Sequence, residues 1–143
     1  MASKSVPRYE IIPHTADIGV KAYGSDLKEL FSNAAYAMFD IIADLDGLTA
    51  STTRSIEARA ENNEELLVAW LDELLYHFYT RQTIFFDFSI ITLEPGIIRA
   101  TVTGRELGEN RNRLKTEIKA VTYHELKIEE TNGGFSASII FDV

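Results

Sequence analysis

Eight consecutive residues, Glu117-Ile118-Lys119-Ala120-Val121-Thr122-Tyr123-His124, carry a carboxylate, an ammonium, a hydroxyl, a phenol and an imidazole. β-Branched and aromatic residues near the middle of this run mark it as a strand. A purely structural strand has no need of such an assortment. A second polar group, Pro13-His14-Thr15-Ala16-Asp17-Ile18-Gly19, lies near the start, and a third, Phe141-Asp142-Val143, lies at the last residues given. Asp17, Asp142 and the carboxylate of Val143 are hard oxygen donors of the kind Ca²⁺ and Mg²⁺ select. His14 or His124 with an Asp is the raw material of a metal site or of a general base. Each of these residues also has a plainer reading. Asp17 suits a turn in which it bonds its own backbone. Either His suits a satisfied structural position. Asp142 suits a solvated chain end, although the apolar Ile139-Ile140-Phe141 just before it argues for a packed final strand. Glu117 and Lys119 share a face of a strand and suit an exposed ion pair of little energetic weight, with Thr122 on the opposite face unless a bulge intervenes.

The elements that must position these groups follow from periodicity. Tyr9 to Pro13 reads as a short strand. Ile18, Val20 and Ala22 alternate with Gly19, Lys21 and Tyr23 in a second strand that Gly24 ends. Ser25 is a good N-cap, with Asp26 in the first turn. Leu27, Leu30, Phe31, Ala34, Ala35, Met38 and Phe39 then form one helical stripe, predicting a helix from Asp26 to about Ile42. Asp44 to Gly47 is a turn, and Thr52 to Ala60 is a strand. Asn62 with Glu65 has capping-box spacing and opens a second helix that ends near Thr80. Its stripe is Leu67, Trp70, Leu71, Leu74, Leu75 and Phe78. Phe85 to Leu93 and Ile97 to Arg105 flank the turn Glu94-Pro95-Gly96. Gly104 to Lys115 reads as a polar loop. Ile118 to Glu129 and Ser136 to Val143 are strands joined through Asn132-Gly133-Gly134. The order β-β-α-β-α-β-β-β-β with short turns predicts a two-layer α+β fold. Its mixed, mostly antiparallel sheet would be covered on one face by two amphipathic helices.

At 143 residues the chain is expected to be one domain, with residues 1–7 a loose leader. Hydrophobic residues make up 45% of it, enough for an ordinary core. The absence of Cys excludes a disulfide framework, a thiolate zinc site and a cysteine nucleophile. No G-x-S-x-G, P-loop or G-x-G-x-x-G occurs. The net charge of −8 argues against non-specific nucleic-acid binding and suits cation binding or a basic partner surface. No run is apolar enough for a membrane span, and the start has no secretory h-region, so a cytoplasmic location is expected.

Taken together, His14-Thr15-Ala16-Asp17-Ile18-Gly19, Leu27-Lys28-Glu29-Leu30-Phe31 with Ala34-Ala35, Glu65 to Tyr76, Ile118 to His124 and the Asp142-Val143 ending resemble the archease family. The resemblance spans Tyr9 to Val143, and the five motifs in order are far more specific than any one alone. It implies a small non-catalytic protein that assists the GTP-dependent RNA ligase of tRNA splicing. That ligase joins a 3′-phosphate or cyclic-phosphate end to a 5′-hydroxyl, and the assistance promotes its guanylylation and repeated turnover. The resemblance further implies a divalent cation, with Ca²⁺ the expected ligand and Mg²⁺ or Mn²⁺ alternatives, at Asp17, Asp142 and Val143. His14, Glu117, Lys119, Thr122 and His124 are then expected to serve partner contact or function. A chaperone for, or modulator of, a tRNA methyltransferase is a secondary implication. The chain departs from the pattern at Asn112, where many members carry His, and at Phe135, where Trp is common. Two other readings stand beside it: a stand-alone metal-dependent hydrolase built on Asp17, His14 and Asp142, and a binding module without a metal. The ion-binding readings share one requirement, that two carboxylates near opposite ends of the chain meet in the fold.

Overall fold

The computed structural model describes residues 6–13 and 16–143, apart from the side chain of His124. Nine regular elements run in the expected order: β1 (Tyr9–Ile12), β2 (Ile18–Gly24), α1 (Leu27–Ile42), β3 (Thr52–Arg59), α2 (Asn63–Arg81), β4 (Thr83–Glu94), β5 (Ile97–Glu106), β6 (Ala120–Thr131) and β7 (Gly134–Asp142). A 3-10 helix, Gly108–Arg113, occupies the stretch read as a loop. The fold is α+β, as the pattern predicts. The strands, however, divide between two sheets rather than one. The first has the order β1-β2-β7-β6 and the second β3-β5-β4, and among the described residues every strand pairing is antiparallel and neither sheet is mixed.

Local chemistry sets the helix boundaries. The Asp26 carboxylate accepts the Glu29 N–H at 2.8 Å, and the Glu29 carboxylate accepts the Ser25 N–H at 2.9 Å. Asp26 is therefore the N-cap, and Ser25 lies one residue outside the helix. A carboxylate at that position also meets the positive end of the helix dipole. The Asn62 amide oxygen caps α2 by accepting the Glu65 N–H at 2.8 Å. Asn62→Ala removes that bond, and a loss of about 1 kcal/mol in urea unfolding is expected.

α1 packs on β1, β2 and β7 of the first sheet and on β4 of the second, while α2 packs on β6 and on β3, β4 and β5. The two helices thus join the sheets through one continuous core. Phe39 lies at its centre, with its ring edge-on to Phe78 and Phe85 and stacked near Phe88. Trp70 is fully buried, meets Phe88 edge-on, and donates its indole N–H to the Phe31 carbonyl oxygen at 3.0 Å. This bond ties α2 to α1. At the half-buried edge, the Tyr9 hydroxyl donates to Asp40 at 2.6 Å. Burial, and then that carboxylate, push its phenol pKa well above the ordinary value. Gly104 has a plain steric cause: a Cβ there would lie 2.2 Å from the Ile84 carbonyl oxygen on the neighbouring strand.

Candidate functional site

The register of the first sheet brings the start of β2 against the end of β7. β2 and β7 pair with Ile18 opposite Phe141, and each further step keeps the alignment. Asp17 immediately precedes Ile18 and Asp142 immediately follows Phe141, so the two acids lie at neighbouring strand ends, and one further step of the same register would set them opposite each other. Opposed residues of an antiparallel pair lie about 5 Å apart between Cα atoms. Ala16, before Asp17, has φ 69, a left-handed turn residue at the mouth of the strand. Asp142 is exposed and Asp17 partly so.

β6 completes the site from the other side of β7. Ala120 pairs with Asp142, and the Lys119 N–H donates to the Asp142 carbonyl oxygen at 2.7 Å. The ladder begins at Ala120 and not at Glu117, because residues before Lys119 turn to another partner. The Lys115 and Thr116 N–H groups both reach the Ile42 carbonyl oxygen at the end of α1. Glu117 and Lys119 are therefore exposed residues of the approach to β6. Between them Ile118 is fully buried, and its carbonyl oxygen accepts the Tyr79 hydroxyl at 2.7 Å. Burial raises the Tyr79 phenol pKa, and the Glu117 charge adds to the shift.

Thr122 is in the ladder, opposite Ile140. Immediately beyond it β6 bulges: the next aligned pair is Lys127 with Ser138, so Tyr123 to Leu126 stand against Ile139 alone. Glu125 in this bulge has φ 58, and Tyr123 is 61% exposed. Glu125 lines a cavity of about 200 Å³ with Ile12, Gly19 and Ile140, on the strands that carry the two acids. The His124 backbone belongs to the bulge, but its side chain, like all of His14, lies outside the described residues. The fold thus brings Asp17, Asp142, Val143, Lys119 and Thr122 to the same end of one sheet, with Glu117 on the approach to it. Sequence pattern missed the bulge and Tyr79. The bulge's only trace is the polar Tyr123-His124-Glu125 run interrupting alternation, and Tyr79 falls outside the apolar stripe of α2.

The donors converging here are oxygens, which suits a hard divalent cation and not a nitrogen- or sulfur-seeking one. Among the described residues no group of three or more His, Asp and Glu side chains could hold a metal. Two carboxylates fall below that number. Any ion held by Asp17 and Asp142 would need further oxygens, from the main chain or water, to fill its shell.

These features define a small two-sheet α+β domain with Asp17 and Asp142 at neighbouring strand ends of one sheet. The model of the archease protein family matches residues 9–143, and the chain belongs to that family. Archeases of Methanosarcina acetivorans and Methanosarcina mazei are 41% and 40% identical to it over 140 residues, covering 95% of this chain and 96% of each relative. The solution structure of protein 1598 from Methanobacterium thermoautotrophicum superposes with a TM-score of 0.80 at 36% identity, covering 95% of this chain and 99% of that one. A crystal structure from Thermotoga maritima, described as an archease and possible chaperone, shares the fold with a TM-score of 0.66 at 22% identity over both whole chains. Among the described residues no helix is long and apolar enough to cross a membrane.

Proposed function

We propose that the protein is a non-catalytic activator of a GTP-dependent RNA ligase of tRNA splicing. It would promote guanylylation of the ligase and its repeated turnover. What supports this reading is the pairing of Ile18 with Phe141, which leaves Asp17 and Asp142 at neighbouring strand ends, in a chain that belongs to the archease family. Asp17, Asp142 and the Val143 main-chain oxygen would hold one divalent cation, Ca²⁺, Mg²⁺ or Mn²⁺. When bound, that ion supplies positive charge against phosphate oxygens. The strand ends would enter the ligase pocket, where the carboxylates help to place metal and nucleotide for attack by the ligase's own nucleophile. Lys119 and Glu117 are exposed at this end and so can reach a partner. Lys119, Glu117, Thr122, His14 and His124 are assigned to the ligase or its bound phosphates. The −8 charge suits this arrangement, since the nucleic acid would be held by the ligase and not by this chain.

Single-turnover guanylylation of the ligase from the same cell, with and without the protein, tests this directly. A rate increase of about tenfold or more at equimolar protein is expected, equivalent to about 1.4 kcal/mol of barrier. Equal rates with a folded protein, at every divalent ion tried, would remove the reading.

A further inference from the structure

Beside the acidic strand ends lies a groove of a different character. It runs between the last turn of α2 and residues 114–117, with a volume of about 240 Å³. Ile42, Phe78 and Leu107 make its floor, and all three are buried. Tyr79 and Leu114 make its rims, and both are unusually exposed for their type, at 45% and 39%. The walls are fixed by main-chain bonds. Leu107 N–H donates to the Gln82 carbonyl oxygen at 2.7 Å, Lys115 N–H donates to the Ile42 carbonyl oxygen at 2.8 Å, and Ala43 bridges Leu114. The Tyr79 hydroxyl, bonded to the Ile118 carbonyl oxygen, fixes the rim nearest Glu117. The groove is thus preformed, which lowers the cost of filling it.

Its charge runs against that of the molecule. Arg111 and Lys115 line the groove, and Lys119 follows four residues on. None of the three forms an ion pair among the described residues. The Arg111 guanidinium donates to the neutral amide oxygen of Gln82 at 2.6 Å, so its charge is not cancelled there. Glu117 is the only carboxylate in the lining. An apolar slot with exposed apolar rims and a cationic border, on a chain of net charge −8, suits an apolar side chain flanked by carboxylates. A single-stranded nucleic acid fits less well. The Phe78 ring of the floor is buried, and Tyr79 is the one exposed ring among the described lining residues, which leaves little for bases to stack on.

We propose that this groove is a docking site for a protein partner, taking one large apolar side chain of an acidic segment. The assignment stands on the groove itself and needs neither a ligase nor a bound metal. The test is fluorescence anisotropy with a labelled synthetic peptide, Gly-Asp-Glu-Phe-Glu-Asp-Gly, and a matched peptide with Ala in place of Phe. Labelled oligouridine serves as the nucleic-acid arm. Saturable binding of the Phe peptide is expected, weakened about tenfold by the Ala replacement, by Leu114→Asp or by Lys115→Glu. Circular dichroism would show that both variants keep the wild-type fold. Binding unchanged in both folded variants, no saturable binding of the Phe peptide, or tighter binding of oligouridine than of the peptide would each overturn the proposal.

Discussion

Calorimetric titration of the Asp17→Asn variant with Ca²⁺ is expected to show affinity at least about 100-fold below that of the unchanged protein. Loss of a supporting group around a metal ligand already costs about 10- to 100-fold, and Asp17 is proposed as a ligand itself. The substitution keeps the size, removes the charge and exchanges one acceptor oxygen for an NH2 donor. Asp17 lies at a partly exposed turn before β2, so the core should not notice the change. On this proposal the unchanged protein would bind the ion only when folded, because 124 residues lie between Asp17 and Asp142 in the chain. Ca²⁺ at about 100 times its dissociation constant should therefore add about 2.7 kcal/mol of stability. For a domain of this size that is a rise of about 10 °C in Tm. Asp17→Asn and Asp142→Asn should each abolish most of this rise and leave the Tm in chelator unchanged. A variant that melts normally and still shows the full shift would remove that carboxylate from the site.

Trp70→Ala should act oppositely, destroying stability with or without ion. Trp70 is the largest fully buried side chain among the described residues. Truncating a buried Trp costs about 3 to 5 kcal/mol through lost burial and residual cavity. Its indole N–H bond to the Phe31 carbonyl oxygen is lost as well. Against a total stability of about 5 to 15 kcal/mol, that is a Tm lower by about 15 °C. Trp70→Phe keeps a ring against Phe88 and loses mainly the hydrogen bond, so a smaller drop, worth about 1 to 2 kcal/mol, is expected. Function should follow the packing. α2 carries Tyr79, whose hydroxyl fixes Ile118 between Glu117 and Lys119. If α2 loosens from α1, the approach to β6 loosens with it. Thermal melts of the two variants check the ranking, and a Trp70→Ala protein melting within about 5 °C of the unchanged one would contradict it.

The order of elements was legible because each helix writes a 3.6-residue apolar stripe, as in Leu27 to Phe39, and each strand an alternating one. Division of the strands between two sheets was not. Alternation shows that Ile18, Val20 and Ala22 share a face, but not that β7, the last strand in sequence, is their partner. The N-cap shifted by one residue because Ser25 and Asp26 both have capping side chains, and only geometry chooses between them. The start of β6 was misplaced for a related reason. Ile118 is apolar and fully buried like a strand residue, yet it packs before the ladder begins and bonds to Tyr79 instead. The bulge from Tyr123 to Leu126 depends on register against β7, which no local pattern encodes. At the site, residue types were readable as oxygen donors. Their placement at neighbouring strand ends came only from the antiparallel pairing of β2, which begins just after Asp17, with β7, which ends at Asp142.

A crystal soaked in Mn²⁺ and measured at the manganese absorption edge addresses that pairing most directly. Ion–oxygen distances of about 2.0 to 2.6 Å distinguish a coordinated cation from a diffuse counter-ion. One strong anomalous peak within that range of carboxylate oxygens from both Asp17 and Asp142 is the expected result. A peak bound to one of the two acids alone, or none between them in a crystal that holds manganese elsewhere, would contradict a shared cation at the strand ends.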